Sequence, residues 1–200
     1  MDRKIYLLRH GKIDCGEERR YIGITDLPLS NDGIEQAKKL RKFFSGIDIE
    51  KAYMSPLKRC VQTSEIVLEG RNIERVLTDE FKEINLGEWE NKPFAYIKRH
   101  FPEQYKNRGK HIDTFIPPGG ESFYKLQKRV TPLFEKIIKS TAGNVLVIAH
   151  AGVNRVVISK LLDFPLNEIM KICQPYGCVN ELFWDNTNQR WQYETVTIKG

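Results

Sequence analysis

Two almost unbroken apolar runs lie near opposite ends of the chain, and each is followed directly by a histidine. The first run covers residues 4–9 and stops at His10, and the second covers residues 144–149 and stops at His150. A strand that is apolar on both faces belongs to a sheet whose two faces are both covered. These runs therefore predict a sheet that is covered on both faces and exclude a sheet with one face exposed to solvent.

Helical and strand-like patterns alternate between and beyond these two runs. Helical spacing predicts helices at residues 31–44 (capped by Ser30 or Asn31), 56–70, 121–140 and 153–162. Strand-like spacing predicts strands at residues 51–55 and 73–77 and a closing hairpin at 178–184 and 191–198. The alternation predicts an α/β three-layer sandwich, with a mostly parallel central sheet and helices on both faces.

The stretch after Glu83 breaks this alternation. Residues 84–120 are rich in glycine, proline and aromatic side chains and show weak periodicity. We expect a helical and loop insertion here that acts as a lid. The full length of 200 residues is a little above that of a typical domain, so we expect one domain over residues 1–200.

The net charge of +6 raises the question of a polyanionic partner. The basic residues are scattered in short clusters, without zinc-finger spacing or an RNA-recognition motif, so we expect no nucleic acid partner. No apolar run approaches the ~20 residues that cross a bilayer, and the N-terminus lacks a signal-like apolar segment. We therefore expect a cytoplasmic protein without membrane contact, whose four cysteines, none in a CxxC pair, are free thiols.

Ligands of open α/β sheets bind beyond the carboxyl ends of the strands, which is where His10 and His150 fall. Arg9 precedes His10, and Arg59 lies one turn into the predicted helix that follows the strand at residues 51–55. A guanidinium at a buried strand end is costly unless an anion pairs with it. Two arginine forks beside an imidazole predict a site for a tetrahedral dianion.

An acidic residue of this site is expected in the segment that opens the insertion. Glu83 has apolar neighbours that would partly bury it, whereas Glu88 and Glu90 would serve as well by spacing alone. Position along the chain does not choose among the three carboxylates.

Five short motifs, taken together in their order, resemble those of the histidine phosphatase superfamily, the phosphoglycerate mutase-like proteins. The resemblance runs nearly the length of the chain. The motifs are Leu8-Arg9-His10-Gly11, the segment 23–30 with Gly33 and Gln36-Ala37, Ser55 to Arg59 with Gln62-Thr63, Glu83 with Gly87 and Trp89, and His150-Ala151-Gly152.

The resemblance implies a role for each member of the predicted site. His10 would attack phosphorus as a neutral imidazole and form a phosphohistidine, and Glu83 would protonate the leaving group and later deprotonate water. The phosphate oxygens would be bound by Arg9, Arg59, His150 and the neighbouring Ala151. The family's chemistry implies neither a metal nor a cofactor.

The segment after the first motif departs from the family pattern. Lys12 replaces an acidic or amide residue, Ile13 a hydroxyl residue and Gly16 an asparagine. The accessory phosphate contacts of the family would then have to come from the backbone N–H of Gly16 or Gly23, or from Arg20.

The function implied is a phosphomonoesterase acting on a small-molecule phosphate ester. The mutases of the family carry a Glu-Arg-His-Tyr-Gly segment where this chain has residues 97–101, so hydrolysis is favoured over phosphoglycerate mutase-type transfer. Segments 20–26, 117–122 and 174–180 resemble those of α-ribazole phosphatases, a group that acts in cobalamin biosynthesis. The alternatives are a broad-specificity sugar or organic phosphate phosphatase and a non-catalytic phosphate-binding module. The sequence leaves open whether the protein forms a homodimer.

Overall fold

The computed structural model describes residues 3–16 and 18–196. Its strands are β1 (Lys4–Arg9), β2 (Lys51–Met54), β3 (Glu74–Leu77), β4 (Val145–Ala149), β5 (Val179–Asp185) and β6 (Arg190–Val196). They form one six-stranded sheet in the order β3-β2-β4-β1-β5-β6. The first four strands pair in parallel, and β5 and β6 add an antiparallel hairpin at one edge. The predicted mostly parallel sheet is confirmed.

Helices cover both faces of the sheet, as the apolar runs predict. They are α1 (Asn31–Phe44), α2 (Lys58–Val67), α3 (Phe94–His100), α4 (Pro102–Lys110), α5 (Phe123–Ser140) and α6 (Ala151–Leu161). Along β1, Ile5 and Leu7 belong to the core shared with α5 and α6, while Tyr6 and Leu8 belong to the core shared with α1 and α2. Because successive strand residues face opposite sides, one apolar strand serves two cores and the three layers follow.

The helix starts differ from the sequence predictions by a few residues. Of the two predicted caps of α1, Ser30 and Asn31, it is Ser30 that caps the helix, by accepting from the Gly33 amide at 3.2 Å. Ser122 caps α5 in the same way, so that helix begins two residues later than the predicted Glu121. Helix α2 begins at Lys58 rather than Pro56, because the backbone before it is still extended, and α6 begins at Ala151, two residues earlier than predicted.

The remaining elements agree in kind with the predictions. The insertion at residues 84–120 contains α3, α4 and a short 3₁₀ helix at Gly87–Trp89. The closing hairpin is present, although residues 197–198 of its predicted second strand lie outside the described part of the chain. All four cysteines are free thiols. Within residues 3–16 and 18–196, no helix is long and apolar enough to span a bilayer.

The strand register explains where a site can form. Arg9 at the end of β1 pairs with Ala149 at the end of β4, and Met54 at the end of β2 pairs with Ile148. The residues that follow these three strands therefore emerge at one edge of the sheet. They are His10, His150 and Ser55.

Candidate active site

The two histidines predicted from the strand ends lie against each other. The ring centres of His10 and His150 are 5.1 Å apart in an edge-to-face arrangement. Both side chains are buried, with 4% of His10 and none of His150 exposed. Two residues separated by most of the chain thus form the centre of one site, since β1 and β4 are neighbours.

The hydrogen bonding of His10 defines its tautomer. Its Nδ1 lies 2.7 Å from the carbonyl oxygen of Gly11, and because a carbonyl can only accept, Nδ1 carries the proton. The lone pair is then on Nε2. Burial, followed by the positive charges of Arg59 and Arg9, lowers the pKa of His10 well below its ordinary value. At neutral pH this imidazole is an uncharged nucleophile.

Arg9 is held between an aromatic ring and a backbone carbonyl. Its guanidinium carbon lies 3.8 Å from the ring centre of Tyr176, and its Nη1 donates to the carbonyl oxygen of Gln174. Burial lowers the pKa of Arg9, and interactions with Tyr176 and Glu83 oppose that effect. Its Nε–H is buried without a partner in the described part of the chain, so a donor remains for an anion.

Arg59 is more deeply buried, with 1% of its surface exposed. Its Nε donates to Nδ1 of His150 at 3.2 Å, and its two terminal nitrogens donate to the carbonyls of Thr25 at 2.7 Å and Gly23 at 2.6 Å. A guanidinium has five N–H groups, so two remain for a ligand. Arg59 thereby links the second histidine to the loop that precedes α1.

The contact with Arg59 also defines the tautomer of His150. Because Nδ1 accepts from Arg59, the proton of the neutral ring is on Nε2, which lies 2.8 Å from Oγ of Ser55. Burial and then the charge of Arg59 lower the pKa of His150 well below its ordinary value. The Cys60 thiol lies 3.5 Å from the same Nε2, and burial raises its pKa to about 12, so it stays protonated.

The structure separates the three carboxylates that spacing alone could not distinguish. Glu83 is 7% exposed, and its carboxylate accepts from the Ile84 amide at 2.9 Å and the Gly152 amide at 3.0 Å. It is thus bound to the N-terminus of α6, two residues after His150. Glu88 is exposed, and Glu90 is bound to a different loop.

Four further residues are predicted to contact the substrate, and these contacts stay predictions. Ala151 is the first residue of α6, so its amide is one of the N–H groups without an intrahelical acceptor. Gly23 directs its carbonyl to Arg59, while its amide donates to Glu90 at 3.1 Å. Gly16 and Arg20 are tied to loop atoms: the Gly16 amide donates to Asp14 Oδ1 at 3.2 Å, and Arg20 donates to the carbonyl of Asn91 at 2.9 Å.

Three residues that contact the site have no role that the sequence predicts. Ser55 partners His150, and Tyr176 lies with its ring centre 5.5 Å from that of His10. Thr63 donates to the Arg59 carbonyl at 2.6 Å and accepts from the Gly11 amide at 3.2 Å, which joins α2 to the loop after β1. Ser55 directly follows the strand at residues 51–54, which is the same signal that marks His10 and His150, whereas Tyr176 follows no strand and is marked only by its place in segment 174–180.

The cluster is suited to binding a tetrahedral dianion and transferring its phosphoryl group. It combines a neutral nucleophile, two guanidinium groups with free N–H donors, and a carboxylate held beside a helix N-terminus. Within the described residues, no group of three or more His, Cys, Asp or Glu side chains is arranged to hold a metal ion.

Comparison with known proteins bears on this chemistry. An adenosylcobalamin/α-ribazole phosphatase of Salmonella typhimurium is 27% identical over 88% of this chain and 87% of the relative, and phosphoserine phosphatase 1 of Hydrogenobacter thermophilus is 29% identical over 88% and 82%. The crystal structure of the α-ribazole phosphatase from Shigella flexneri shares the fold, with a TM-score of 0.87 and 22% identity over 98% of this chain and 100% of that one. The family model of the histidine phosphatase superfamily (branch 1) matches residues 5–197. The predicted resemblance is confirmed, and the chain belongs to the histidine phosphatase superfamily.

Proposed function

We propose that this protein hydrolyses the phosphate ester of α-ribazole 5′-phosphate through a phosphohistidine on His10. The observation that carries the proposal is the buried, neutral imidazole of His10, which carries its lone pair on Nε2 and whose pKa is lowered by burial and by the charges of Arg59 and Arg9. The phosphatase class follows from membership of the family. The substrate is inferred from relatives named adenosylcobalamin/α-ribazole phosphatase, to which this chain is similar over most of their length.

The proposed reaction has two steps, in which Glu83 acts first as an acid and then as a base, and His10 acts first as the nucleophile and then as the leaving group. In the first, His10 Nε2 forms a bond to phosphorus as the ester oxygen leaves, and Glu83 gives that oxygen its proton. In the second, a water molecule attacks the phosphorus of the phosphohistidine while Glu83 takes a proton from that water. The bond between phosphorus and His10 Nε2 breaks, which releases inorganic phosphate and free His10. The positive charge of Arg9 and Arg59 stabilises the non-bridging oxygens throughout.

The location and organisation of the protein are part of the proposal. Free thiols at all four cysteines fit a reducing compartment such as the cytoplasm. We further propose one domain over residues 1–200 in which the insertion at 84–120 acts as a lid. The ring of Phe94 lies 4.1 Å from that of Tyr21, close to the loop that binds Arg59, which supports a lid over the site.

The test is a panel of phosphomonoesters that includes α-ribazole 5′-phosphate, phosphoserine, 3-phosphoglycerate and sugar phosphates. Wild type is compared with His10→Ala and with a control, His111→Ala, which changes an exposed histidine. We expect His10→Ala to lose both phosphate release and an acid-labile, base-stable phosphoryl label, and His111→Ala to keep both. Equal release by wild type and His10→Ala would refute the mechanism, and a faster rate with phosphoserine or sugar phosphates would refute the substrate.

A further inference from the structure

The buried Arg59 guanidinium has no acidic partner among the residues that the structure describes. In the described part of the chain, no carboxylate oxygen lies within 4.0 Å of its nitrogens, and its three hydrogen bonds go to one imidazole and two peptide carbonyls. A cation removed from water is strongly destabilised unless negative charge or strong acceptors compensate. The nearest compensating charge that the hydrogen bonds connect to Arg59 is the Glu90 carboxylate, which is separated from it by one peptide group.

Glu90 binds the loop that binds Arg59. Its carboxylate accepts from three consecutive amides, those of Gly23 at 3.1 Å, Ile24 at 2.9 Å and Thr25 at 3.1 Å, and also from the Thr25 hydroxyl. It accepts a further bond from the Leu86 amide at 3.0 Å. Two oxygens thus accept five hydrogen bonds, which fixes the loop backbone in one arrangement.

A single peptide group connects the two charges. The N–H of Ile24 donates to Glu90 Oε1, and the carbonyl of the same peptide, that of Gly23, accepts from Arg59 Nη2 at 2.6 Å. Hydrogen bonds in series polarise one another, so the carboxylate strengthens this carbonyl as an acceptor. Thr25 connects the same two charges through its own backbone: its N–H donates to Glu90, and its carbonyl oxygen accepts from Arg59.

This indirect connection has a consequence for substrate binding. A carboxylate in direct contact with Arg59 would occupy the donors that a phosphate needs, since both bind a guanidinium through the same paired N–H groups. We propose that Glu90 is a positioning residue that serves as the counter-charge of Arg59 through the peptides of residues 23–25 and so keeps two N–H groups free for phosphate. This inference rests on the proposed function, because it assigns those donors to the phosphoryl group.

The close packing of the loop supports the same assignment. A Cβ atom added at Gly23 would overlap both the carbonyl oxygen of Ile84 and the carboxylate of Glu90. Only glycine allows the loop to lie this close to the carboxylate. Glu88, two residues earlier in the chain, is exposed and forms no side-chain hydrogen bond in the described part of the chain, so it provides a matched control.

The test compares Glu90→Gln, Glu90→Asp and Glu88→Gln. The readouts are binding of inorganic phosphate by calorimetry, and kcat and KM for hydrolysis. We expect Glu90→Gln to weaken phosphate binding and lower kcat/KM by about 10- to 100-fold, because its amide presents one acceptor oxygen and turns an NH2 group toward the loop N–H groups. Glu90→Asp keeps the charge and should restore part of the loss, and Glu88→Gln should match wild type.

The same substitutions are then made in an Arg59→Ala background. If Glu90 acts through Arg59, Glu90→Gln should reduce phosphate binding there by less than about threefold. An equal loss in both backgrounds, or no loss in either, would overturn the proposal. If circular dichroism shows that Glu90→Gln does not fold, the same comparison of the two backgrounds is made with Glu90→Asp.

These readouts separate the inference from the proposed function. A wild-type protein that binds phosphate but hydrolyses no ester would refute the proposed function, and the binding cycle would still decide the role of Glu90. A wild-type protein that binds no phosphate would overturn the inference itself.

Discussion

Replacing Gly152 with alanine should displace Glu83, the proposed acid. The Gly152 amide binds the Glu83 carboxylate at 3.0 Å, so the backbone of α6 lies directly against it. A Cβ at this position would overlap Glu83 Oε1 and lie 3.1 Å from its Cδ and 3.3 Å from Leu126 Cδ2. The carboxylate has to retreat by about 1 Å to restore van der Waals contact.

The displacement should affect chemistry more than stability. A shift of about 1 Å in a catalytic group costs about 100-fold in rate, which is within the range that general acid catalysis contributes. Overpacking costs about 1–3 kcal/mol, and alanine in a helix regains about 0.5–1 kcal/mol over glycine, so the free energy of unfolding should fall by about 0–2.5 kcal/mol.

The assay separates loss of the acid from general damage by varying the leaving group. An alkyl phosphate needs protonation of its leaving oxygen, whereas p-nitrophenyl phosphate needs little. Gly152→Ala should lower kcat/KM by about 100-fold for the alkyl ester and by less than about tenfold for the aryl ester. Gly109→Ala in α4 is the control, because a Cβ there meets no described atom within 4 Å. Equal losses with both esters, or none, would refute the reasoning.

Two further predictions follow from the surroundings of the nucleophile. Burial, followed by the charge of Arg59, holds the pKa of His10 and His150 well below their ordinary value, whereas in the unfolded chain both protonate near pH 6.5. The free energy of unfolding, measured by urea denaturation, should therefore fall as the pH drops below about 6.5, and an increase would contradict this. Tyr176→Ala removes the ring under Arg9 and should raise KM by about tenfold, while Tyr176→Phe keeps the ring and should match wild type; equal KM values for the two variants would exclude the stacking role.

Local composition was sufficient to predict the layers and the location of the site. The apolar runs before His10 and His150 specify strands with two buried faces, and parallel strands bring their carboxyl ends to one edge. The sequence limited the cap of α1 to Ser30 or Asn31, whereas the exact starts of α2 and α5 depend on backbone conformations and caps that spacing does not fix.

Residues that contact the site from loops were harder to predict. Tyr176 reaches Arg9 only because its loop folds back beside the end of β1, where the Gly177 amide donates to the His10 carbonyl at 3.2 Å. Nothing in the sequence around Tyr176 marks that return. Ser55 reaches His150 for a simpler reason, since β2 and β4 are adjacent strands.

The three carboxylates at residues 83–90 show most clearly what the sequence determined and what it left to the tertiary structure. The sequence by itself placed an acidic group at the start of the insertion and supplied the histidines and arginines it would serve. Apolar neighbours and the family resemblance favoured Glu83, but spacing alone did not distinguish it from Glu90. Their partners are distant in the chain: Gly152 on α6 binds the first, and the loop at residues 23–25 binds the second. Only the packing of those segments around the sheet edge decides which carboxylate binds the start of α6 and which binds the loop that holds Arg59.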